Sequence, residues 1–584
     1  MARRIDLAEY LWKRLAELGL RSVHGVPGDY NLTVLDYFKS TGIRWVGNAN
    51  ELNSGYAADA YARIKGIGAL VTSFGVGELS AINAIGGAYA EKSPVVHIVG
   101  TPPVTAQRGG ACLHHSLGDG NFRVFADMCK PVTVAQANLV DPSTAPRMID
   151  STLKECLRQS RPVYIEIPSD MVRAQVPEPE SPIDLSTSEY DEKFEDQMID
   201  KVMARIQASK RPMILVDGLS ARFGIKEELN ALVKLTGFPT LTTPCGKSII
   251  SETLPNFHGV HLGSAGDAAH QAWANNRDLV LHFCPLNSDT NTFGWTARPD
   301  PEVTVAFEHE SIHITGVDEE NGNGRAVPIK SALTKLLGRL QTSNIPTPDR
   351  YPDECISLDG MLRGLPRPED NAVVDQYSFW LLISSFLKQG DKVLTETGTA
   401  SYGGQSLILP ENTVIVNSTI WLSIGYMLAA SQGVSLAQRD ICEETKQPQG
   451  RTILFEGEGS LQMTAQSISD MIRNKLDVII FVLNNNGYTI ERLIHGFSAD
   501  YNDVQPWRNL EAPSYFGAPK DDPSYPVHTF SAKNWGELRA VLDRPELQAG
   551  KGLNMVEVIM DIADAPRSLR LFAEYLQSRN RGAK

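Results

Sequence analysis

Helical and strand-like segments alternate from the first residues of the chain. Leu11, Leu15 and Leu18 recur at helical spacing, and a short strand-like stretch over 22–28 follows them. The alternation then repeats, with predicted helices over 51–63, 79–91 and 146–158 and predicted strands over 68–72, 95–99 and 163–167. Strands that alternate with helices of this length predict a parallel sheet covered by helices on both faces.

Two polar, proline-rich stretches interrupt the pattern, at about 173–196 and 341–371, and such stretches commonly connect domains. We therefore predict three domains, over residues 1–185, 195–342 and 370–584. The later two repeat the alternation, with predicted strands over 213–216, 278–283, 303–307, 392–395, 414–417, 452–455 and 478–483 and predicted helices over 331–340, 376–388, 424–436 and 463–473. The predicted fold class is α/β, with a doubly wound parallel sheet in each domain.

Composition excludes several classes of function. The 584 residues carry 55 basic and 69 acidic side chains, a net charge of -14, without a long basic run, so we expect no nucleic-acid partner. No stretch approaches 18 consecutive apolar residues, so we expect no membrane span. The seven cysteines lie far apart without a CxxC pair, which predicts reduced core thiols in a cytoplasmic protein. The N-terminal residues resemble neither a signal peptide nor a transit peptide.

The strongest chemical signal is the segment FEGEGSLQ at 455–462, followed after a helix and a strand by NNNGY at 484–488. Both polar clusters follow predicted strands, at the sheet edge where open parallel sheets bind ligands. Gly457 and Gly459 allow a phosphate to approach the backbone, while Glu458 and Asn485 offer the oxygen ligands that Mg²⁺ requires. Two ordinary turns are the alternative interpretation. The paired strand ends favour a cradle for a metal and a diphosphate.

This pattern resembles the thiamin diphosphate motif, in which G-D-G is followed about 25 to 30 residues later by N-N. Glu458 stands where the motif has aspartate, and its side chain is one methylene longer. The resemblance implies thiamin diphosphate and Mg²⁺ as cofactors. It also implies that the metal is bound by Glu458, Asn485 and the carbonyl of Gly487.

Other motifs spread over nearly the whole chain narrow the resemblance to the 2-oxo-acid decarboxylases of the pyruvate decarboxylase type, especially the fungal and yeast group. These motifs are GVPGDYN at 25–31, GNANELN at 47–53, YARIKG at 61–66, FGVGELS at 74–80, His114-His115, ETGT at 396–399, WLSIG at 421–425 and GYTIE at 487–491. Any one of them alone could be a turn or a core segment. Their shared order and spacing make coincidence improbable.

The resemblance assigns catalytic roles to five residues. Glu51 resembles the glutamate that protonates N1′ of the cofactor's aminopyrimidine ring. Considered alone, it could be an acid at a helix start that the helix macrodipole stabilises. Asp29, His114, His115 and Glu491 resemble the family's proton-handling cluster. Each of these also has a simpler interpretation, such as a turn residue for Asp29 and a solvated helix-start acid for Glu491.

Further residues are implied to contact the cofactor. Ile424 resembles the bulky aliphatic residue that bends the cofactor into its V shape, and Leu422 occupies a position that is often glycine in the family. The implied contacts with thiamin diphosphate are Glu51, Thr397, Thr399, Ser423, Ile424, Gly457, Glu458, Gly459, Ser460, Asn485, Gly487, Tyr488, Thr489 and Ile490.

The implied reaction is the non-oxidative decarboxylation of a 2-oxo acid to an aldehyde and CO₂, through the cofactor's ylid and an enamine, by a carboxy-lyase. The substrate pocket is expected to include Thr290, Ser401 and Ile490. Yeast-type enzymes have an aromatic residue at the position of Thr290, so we expect a larger pocket that accepts longer or aromatic 2-oxo acids alongside pyruvate.

Alternatives remain at this point. The chain could be a phenylpyruvate, indolepyruvate or branched-chain 2-oxo-acid decarboxylase, a carboligase of the acetolactate synthase type, or a catalytically silent relative. Because the family binds its cofactor between the first domain of one chain and the third domain of another, a homodimer is the minimum implied assembly and a homotetramer is expected. No cysteine occupies the activation position of the yeast enzymes, where Leu219 or Ser220 stands, so we predict no thiol-based activation.

Overall fold

The protein forms three six-stranded sheets in chain order. The computed structural model describes residues 3–186, 190–316, 325–352, 363–365 and 367–582. Each sheet alternates with helices along the chain, as the sequence pattern predicts. The doubly wound α/β class is therefore confirmed.

The first sheet is entirely parallel. Across the sheet its strands are Arg44–Gly47, Ser22–Gly25, Gly68–Ser73, Val95–Thr101, Val163–Pro168 and Gln136–Asn138. Its helices are Leu7–Glu17, Leu32–Leu35, Phe38–Thr41, Glu51–Lys65, Val76–Ala90, Val104–Arg108, Val124–Cys129 and Ala145–Gln159. The central strands are buried throughout, because helices cover both faces. A separate antiparallel pair, Arg4–Asp6 with Gln175–Pro177, joins the two ends of the domain.

The middle sheet departs from the predicted parallel pattern at one edge. Across it run Phe257–Val260, Thr240–Thr242, Pro212–Val216, Leu279–Phe283, Thr304–Glu308 and Ser311–Ile314. The last strand is antiparallel to its neighbour, because the two intervening residues can form a hairpin but not a parallel crossover. The helices of this domain are Glu192–Ala208, Lys226–Thr236, Ala268–Asn275 and Ile329–Gln341.

The third sheet is again parallel. Its strands run in the order Val414–Val416, Lys392–Thr395, Thr452–Gly457, Val478–Asn484, Leu553–Ile559 and Val527–Ala532. Its helices are Gln376–Ile383, Thr399–Gly404, Tyr426–Thr445, Glu458–Thr464, Ser467–Arg473, Thr489–Ile494, Ala512–Tyr515, Trp535–Leu542, Pro545–Ala549 and Arg567–Gly582.

Two predicted helices of the third domain are wrong in extent. The helix predicted over 463–473 is two helices, Glu458–Thr464 and Ser467–Arg473. The hydroxyl of Thr464 donates to the carbonyl of Gly425 at 2.6 Å, a tertiary bond at the point where the first helix ends. The helix predicted over 376–388 ends at Ile383 and continues as a short 3₁₀ turn.

The first and third domains pack through the helices Glu51–Lys65 and Tyr426–Thr445. A Cβ atom on Gly433 would lie 2.0 Å from the carbonyl oxygen of Ala57, so glycine is required where the two backbones meet. This contact fixes the position of the helix that begins with Glu51.

The cysteine prediction is only partly correct. Cys129, Cys156 and Cys284 are buried thiols, whereas Cys245 and Cys442 are half-buried and Cys112 is exposed in the loop that carries the histidine pair. Cys355 lies outside the described residues. Within the described ranges, no helix combines the length and apolar character needed to cross a bilayer.

Candidate active site

The metal and diphosphate motif lies at one edge of the third sheet. The neighbouring parallel strands Thr452–Gly457 and Val478–Asn484 end side by side there. The helix Glu458–Thr464 begins directly after the first strand, and Asn485 follows the second. The sequence prediction that both polar clusters follow strand ends is therefore correct.

Glu458 bridges the two strand ends. Its Oε1 accepts a hydrogen bond from the backbone N–H of Gly487 at 2.6 Å, and its Oε2 accepts one from the N–H of Asn485 at 3.3 Å. Burial raises the pKa of Glu458, and these backbone bonds partly lower it. The longer side chain thus still reaches the second strand end.

The donor set at this edge fits a divalent cation. Glu458 is 5% exposed, and no lysine or arginine in the described ranges forms an ion pair with it. A buried carboxylate without a counter-charge is unfavourable, and a bound cation would compensate it. The side chain of Asn485 donates from Nδ2 to the hydroxyl of Thr489 at 2.6 Å, which leaves its carbonyl oxygen available as a hard ligand.

Close packing explains the glycines of the cradle. A Cβ atom on Gly459 would lie 2.6 Å from the ring of Tyr488. Gly487 has a φ of 133°, and a Cβ there would lie 2.6 Å from the carbonyl oxygen of Asn502. Only Ser460 is within 4 Å of a Cβ built on Gly457, so the backbone at that residue is open to a ligand.

Glu51 lies in the first domain, as the first residue of the helix Glu51–Lys65. The helix is capped by Asn50, whose side chain accepts from the N–H of Asn53. Glu51 is half-buried, and burial raises the pKa of its carboxyl, partly offset by a backbone hydrogen bond. A cap residue precedes it, so Glu51 is not needed to satisfy the helix end, and its carboxyl is available to hold a proton.

The predicted proton-handling residues of the first domain lie together. Nε2 of His114 and Oδ2 of Asp29 are 2.6 Å apart, and the His114 ring stacks on Tyr30 at 4.9 Å. The rings of His114 and His115 are 4.9 Å apart. Ligand-capable atoms of Asp29, His114 and His115 lie within 4.8 Å of one another.

Glu491 belongs to a different domain from this cluster. It is exposed in the first turn of the helix Thr489–Ile494 in the third domain. No ion pair or hydrogen bond joins its side chain to Asp29, His114 or His115 within the residues described.

The segment 417–425 carries Ser423 and Ile424 and packs on the first domain. Oε1 of the buried Glu91 accepts from the hydroxyl of Ser418 at 2.8 Å and from the backbone N–H groups of Thr419, Ile420 and Trp421 at 3.0, 3.1 and 3.2 Å. The hydroxyls of Ser423 and Tyr56 are 2.7 Å apart.

Leu422 in this segment has a φ of 53°. This left-handed conformation favours glycine, the residue that the family often has at this position. In this chain a leucine adopts that conformation. Ile424 beside it is half-buried.

Thr397 and Thr399 follow the strand Lys392–Thr395. Glu396 between them and the strand is buried, with Oε1 accepting from the N–H of Thr397 and Oε2 from the N–H of Met427, each at 2.8 Å. Burial raises the pKa of Glu396 to about 7. Burial and the charge of Glu396 raise the pKa of Glu456 well above its usual value.

The three predicted substrate residues have different surroundings. The hydroxyl of Thr290 donates a short hydrogen bond to the carbonyl of Thr419. Ser401 is half-buried in the helix Thr399–Gly404. Ile490 packs against a cluster of residues from the middle and third domains, which includes Phe293, Tyr402, Leu569 and Phe572. No hydrogen bond joins Thr290, Ser401 and Ile490 in the described ranges.

Several residues around the site were not predicted from the sequence. Glu91 holds the segment 417–425, Asn83 donates to Ser423 at 3.2 Å, and Gly77 leaves space for Glu51. Gly77 belongs to the motif FGVGELS at 74–80, so the sequence did contain an indication of its importance. The role of Glu91 rests on contacts more than 320 positions away, so no local pattern could have indicated it.

Three family descriptions match the chain. "Thiamine pyrophosphate enzyme, N-terminal TPP binding domain" matches residues 5–120. The central domain of the same enzymes matches 199–340, and their C-terminal TPP binding domain matches 397–516. Each match falls on a different one of the three sheets.

Full-length relatives agree with these matches. The chain is 46% identical to a pyruvate decarboxylase of Aspergillus parasiticus over 569 residues, which cover 96% of each protein. It is 39% identical to a pyruvate decarboxylase of Candida glabrata and 38% identical to pyruvate decarboxylase isozyme 3 of Saccharomyces cerevisiae, each over 97% of both proteins. The chain therefore belongs to the thiamine pyrophosphate enzymes and, among them, to the pyruvate decarboxylase family of fungal type.

Proposed function

We propose that this protein decarboxylates 2-oxo acids, pyruvate among them, to an aldehyde and CO₂, with thiamin diphosphate and Mg²⁺ as cofactors. The observation that carries the proposal is the buried carboxylate of Glu458, which has no cationic partner within the described ranges and lies between two strand ends. Such a site suits a metal-bound diphosphate.

In this proposal Glu458, the side-chain oxygen of Asn485 and the carbonyl of Gly487 hold Mg²⁺. The open backbone at Gly457, with Gly459 and Ser460, faces the diphosphate, and Thr397, Thr399, Ser423, Ile424, Tyr488, Thr489 and Ile490 complete the cofactor site. When bound, thiamin diphosphate supplies an electron sink that accepts the electron pair released as CO₂ leaves.

Glu51 is proposed to hold the proton that a ring nitrogen of the cofactor requires. Burial raises the pKa of its carboxyl, so a proton is retained at a pH where an exposed glutamate is ionised. Loss and return of that proton at one carboxylate oxygen would tune the cofactor during each turnover.

Asp29, His114 and His115 are proposed to deliver and remove protons on the substrate side, with Glu491 joining them from the third domain. The 2.6 Å contact between Asp29 and His114 supports this role, because a carboxylate fixes the orientation of the imidazole ring that it contacts. The stacking of Tyr30 on His114 fixes the plane of that ring.

We propose a homodimer as the minimum functional unit and a homotetramer as the full assembly. Glu51 and Glu458 lie in different domains, and no hydrogen bond links them in the described part of one chain. An exposed apolar side chain lies near each of these two glutamates. Val76, next to Gly77, is 55% exposed, and Met463, in the helix Glu458–Thr464, is 50% exposed. A second copy would cover such side chains. Buried reduced thiols support a cytoplasmic location.

A panel of 2-oxo acids assayed with thiamin diphosphate and Mg²⁺ tests the proposal. We expect free aldehyde and CO₂ in equal amounts. Acetohydroxy acid as the main product would instead indicate a carboligase. No turnover of any 2-oxo acid by cofactor-loaded protein would contradict the proposed function.

A further inference from the structure

A cleft of about 550 Å³ lies where the three domains meet. The first domain contributes Arg63, the middle domain contributes residues between Gly218 and Ile249, and the third domain contributes residues between Gln389 and Gly450. None of the residues proposed for the cofactor or substrate lines it. The volume is in the usual range for small-molecule sites.

The cleft is basic. Its cationic side chains are Arg63, Arg222, Lys226, Lys247 and Lys392, and its lining contains no aspartate or glutamate among the described residues. Two of these cations form ion pairs with carboxylates that do not line the cleft. Arg63 pairs with Asp59 at 2.9 Å, and Lys247 pairs with Glu252 at 2.8 Å.

The other three cations have no carboxylate at ion-pair distance in the ranges that the structure describes. Arg222 donates to the backbone carbonyl of Glu91 at 3.4 Å, and Lys392 donates to the carbonyl of Gly390 at 3.0 Å. The carboxylate of Glu91 accepts hydrogen bonds from Ser418 and the backbone that follows it, and its charge, like that of Asp59, partly offsets the charge of Arg222. The charge of Asp391 acts on Lys392, but Asp391 is itself paired with Arg451. The cleft therefore keeps an excess of positive charge.

The lysines are close enough to repel each other. Burial lowers the pKa of Lys226. Burial lowers the pKa of Lys392 as well, and the charge of Lys226 lowers it further. Two like charges in a partly buried cleft are unfavourable unless an anion lies between them.

The rest of the lining is rich in neutral hydrogen-bonding groups. These include the amides of Gln389, Asn412 and Gln447. The amides of Gln438 and Gln449 and the hydroxyl of Ser248 also line the cleft, but they already bond to Thr452, Ser435 and the N–H of Ile415. Amides can both donate to and accept from hydroxyl groups. They suit the polar, uncharged part of a small molecule better than an apolar one.

We propose that this three-domain cleft binds a small phosphorylated molecule with hydroxyl groups, whose phosphoryl group is held by Lys226 and Lys392, with Arg222 adding positive charge to the lining. A phosphoryl dianion balances the unpaired positive charge, and guanidinium and ammonium groups are its usual protein partners. The cleft is larger than inorganic phosphate requires, and the amides supply partners for the hydroxyls. Because the ligand would contact all three domains, its binding would stabilise their arrangement. The site is independent of the proposed reaction.

Isothermal titration calorimetry tests the proposal on protein saturated with thiamin diphosphate and Mg²⁺, so that the cradle at Glu458 is filled. The probes are glycerol 3-phosphate, inorganic phosphate and glycerol. We expect glycerol 3-phosphate to bind with one site per chain, inorganic phosphate to bind more weakly, and glycerol not to bind. The double variant Lys226→Gln/Lys392→Gln should weaken binding of glycerol 3-phosphate by about a hundredfold, since two charge-assisted bonds are lost and each is worth about tenfold.

Lys551→Gln is the matched control, because Lys551 is a surface lysine paired with Asp477 and does not line the cleft. This variant should bind like the wild type. The proposal is overturned if glycerol 3-phosphate does not bind, if the double variant binds it as tightly as Lys551→Gln does, or if glycerol binds equally well. These outcomes do not depend on whether the protein decarboxylates a 2-oxo acid.

Discussion

The carboxylate of Glu51 lies against the backbone of Gly77, where a Cβ atom would stand 3.0 Å from Oε1. Gly77 is in the first turn of the helix Val76–Ala90, so two helix starts of the first domain meet at this carboxylate. A methyl group at residue 77 would require the carboxylate of Glu51 to shift by a few tenths of an ångström. The glycine is therefore explained by the acid that it faces.

Replacing Glu51 by glutamine should reduce kcat by about 10² to 10⁴, because the amide has the shape of the carboxyl but cannot exchange its proton. Steady-state aldehyde formation measures the loss. Thiamin diphosphate should still bind, which titration of the cofactor can check. The control is Glu9→Gln, since Glu9 is also a first-turn helix acid but forms a surface ion pair with Lys13. Full activity of Glu51→Gln would refute the proposed role.

Glu458→Gln should raise the Mg²⁺ concentration needed for half-maximal cofactor binding by at least about tenfold. Loss of a direct ligand should lower the metal affinity by at least as much as loss of a partner in the outer shell, which lowers it by about tenfold or more. Glu458→Asp keeps the charge and restores the residue of the family motif, so it serves as the matched variant and should retain Mg²⁺ dependence. Quenching of protein fluorescence during Mg²⁺ titration measures both. Equal Mg²⁺ requirements for wild type and Glu458→Gln would place the metal elsewhere.

The middle domain should loosen in acid. His282 is buried in the strand Leu279–Phe283, and burial, aided by the charge of Arg298, lowers its pKa from 6.5 to about 3. The folded state therefore keeps His282 neutral, whereas the unfolded chain binds a proton below pH 6.5. The contribution of His282 to the free energy of unfolding is therefore complete above pH 6.5 and is lost as the pH drops toward 3. At pH 5 the loss from this one group is about 2 kcal/mol.

Hydrogen exchange of peptides covering that strand, corrected for the intrinsic pH effect, measures this loss. His282→Asn removes the titrating group, so its opening free energy should change less between pH 7 and pH 5 than that of the wild type. His313→Asn is the control, because His313 is exposed on an edge strand of the same sheet. If His282→Asn has the pH dependence of the wild type, another group causes the loss.

Thr290→Phe should narrow the range of substrates. An aromatic ring would fill space beside Thr419, and we expect the ratio of kcat/KM for 2-oxoisocaproate to that for pyruvate to fall by about tenfold or more. Thr290→Ser keeps the hydroxyl that donates to Thr419 and should keep the wild-type ratio. If kcat/KM of the wild type for pyruvate equals or exceeds that for larger 2-oxo acids, the prediction of an enlarged pocket is wrong.

Local features of the sequence were sufficient to predict many of the elements up to residue 483, whereas the later strands Val527–Ala532 and Leu553–Ile559 and the helix Arg567–Gly582 were not predicted. The helix Glu51–Lys65 is a clear case, since Asn50 caps its start and Gly66 with a φ of 97° ends it. The break after Thr464 was missed because apolar residues continue beyond it at helical spacing. The reason for the break is a bond to Gly425, which depends on tertiary structure.

The same distinction applies to the site. The proximity of Glu458 and Asn485 could be predicted because the two residues follow strands that neighbour each other in the sheet. The three-residue edge strand Gln136–Asn138 was not predicted, since its pairing with Val163–Pro168 defines it more than its own residues do. The hydrogen bonds that Glu91 accepts from residues 418–421 are likewise long-range contacts, which the spacing of apolar residues along the chain cannot predict.

The helix Arg567–Gly582 completes one cluster of side chains between the middle and third domains late in synthesis. Leu569 and Phe572 pack with Phe293 of the middle domain and with Tyr402 and Ile490 of the third. All three of those partners leave the ribosome before the helix does. Until residue 572 has emerged, these aromatic and aliphatic side chains lack their cover and are open to non-native contacts. Ile490, which we propose for the substrate pocket, can therefore reach its final surroundings only after residue 572 has been translated.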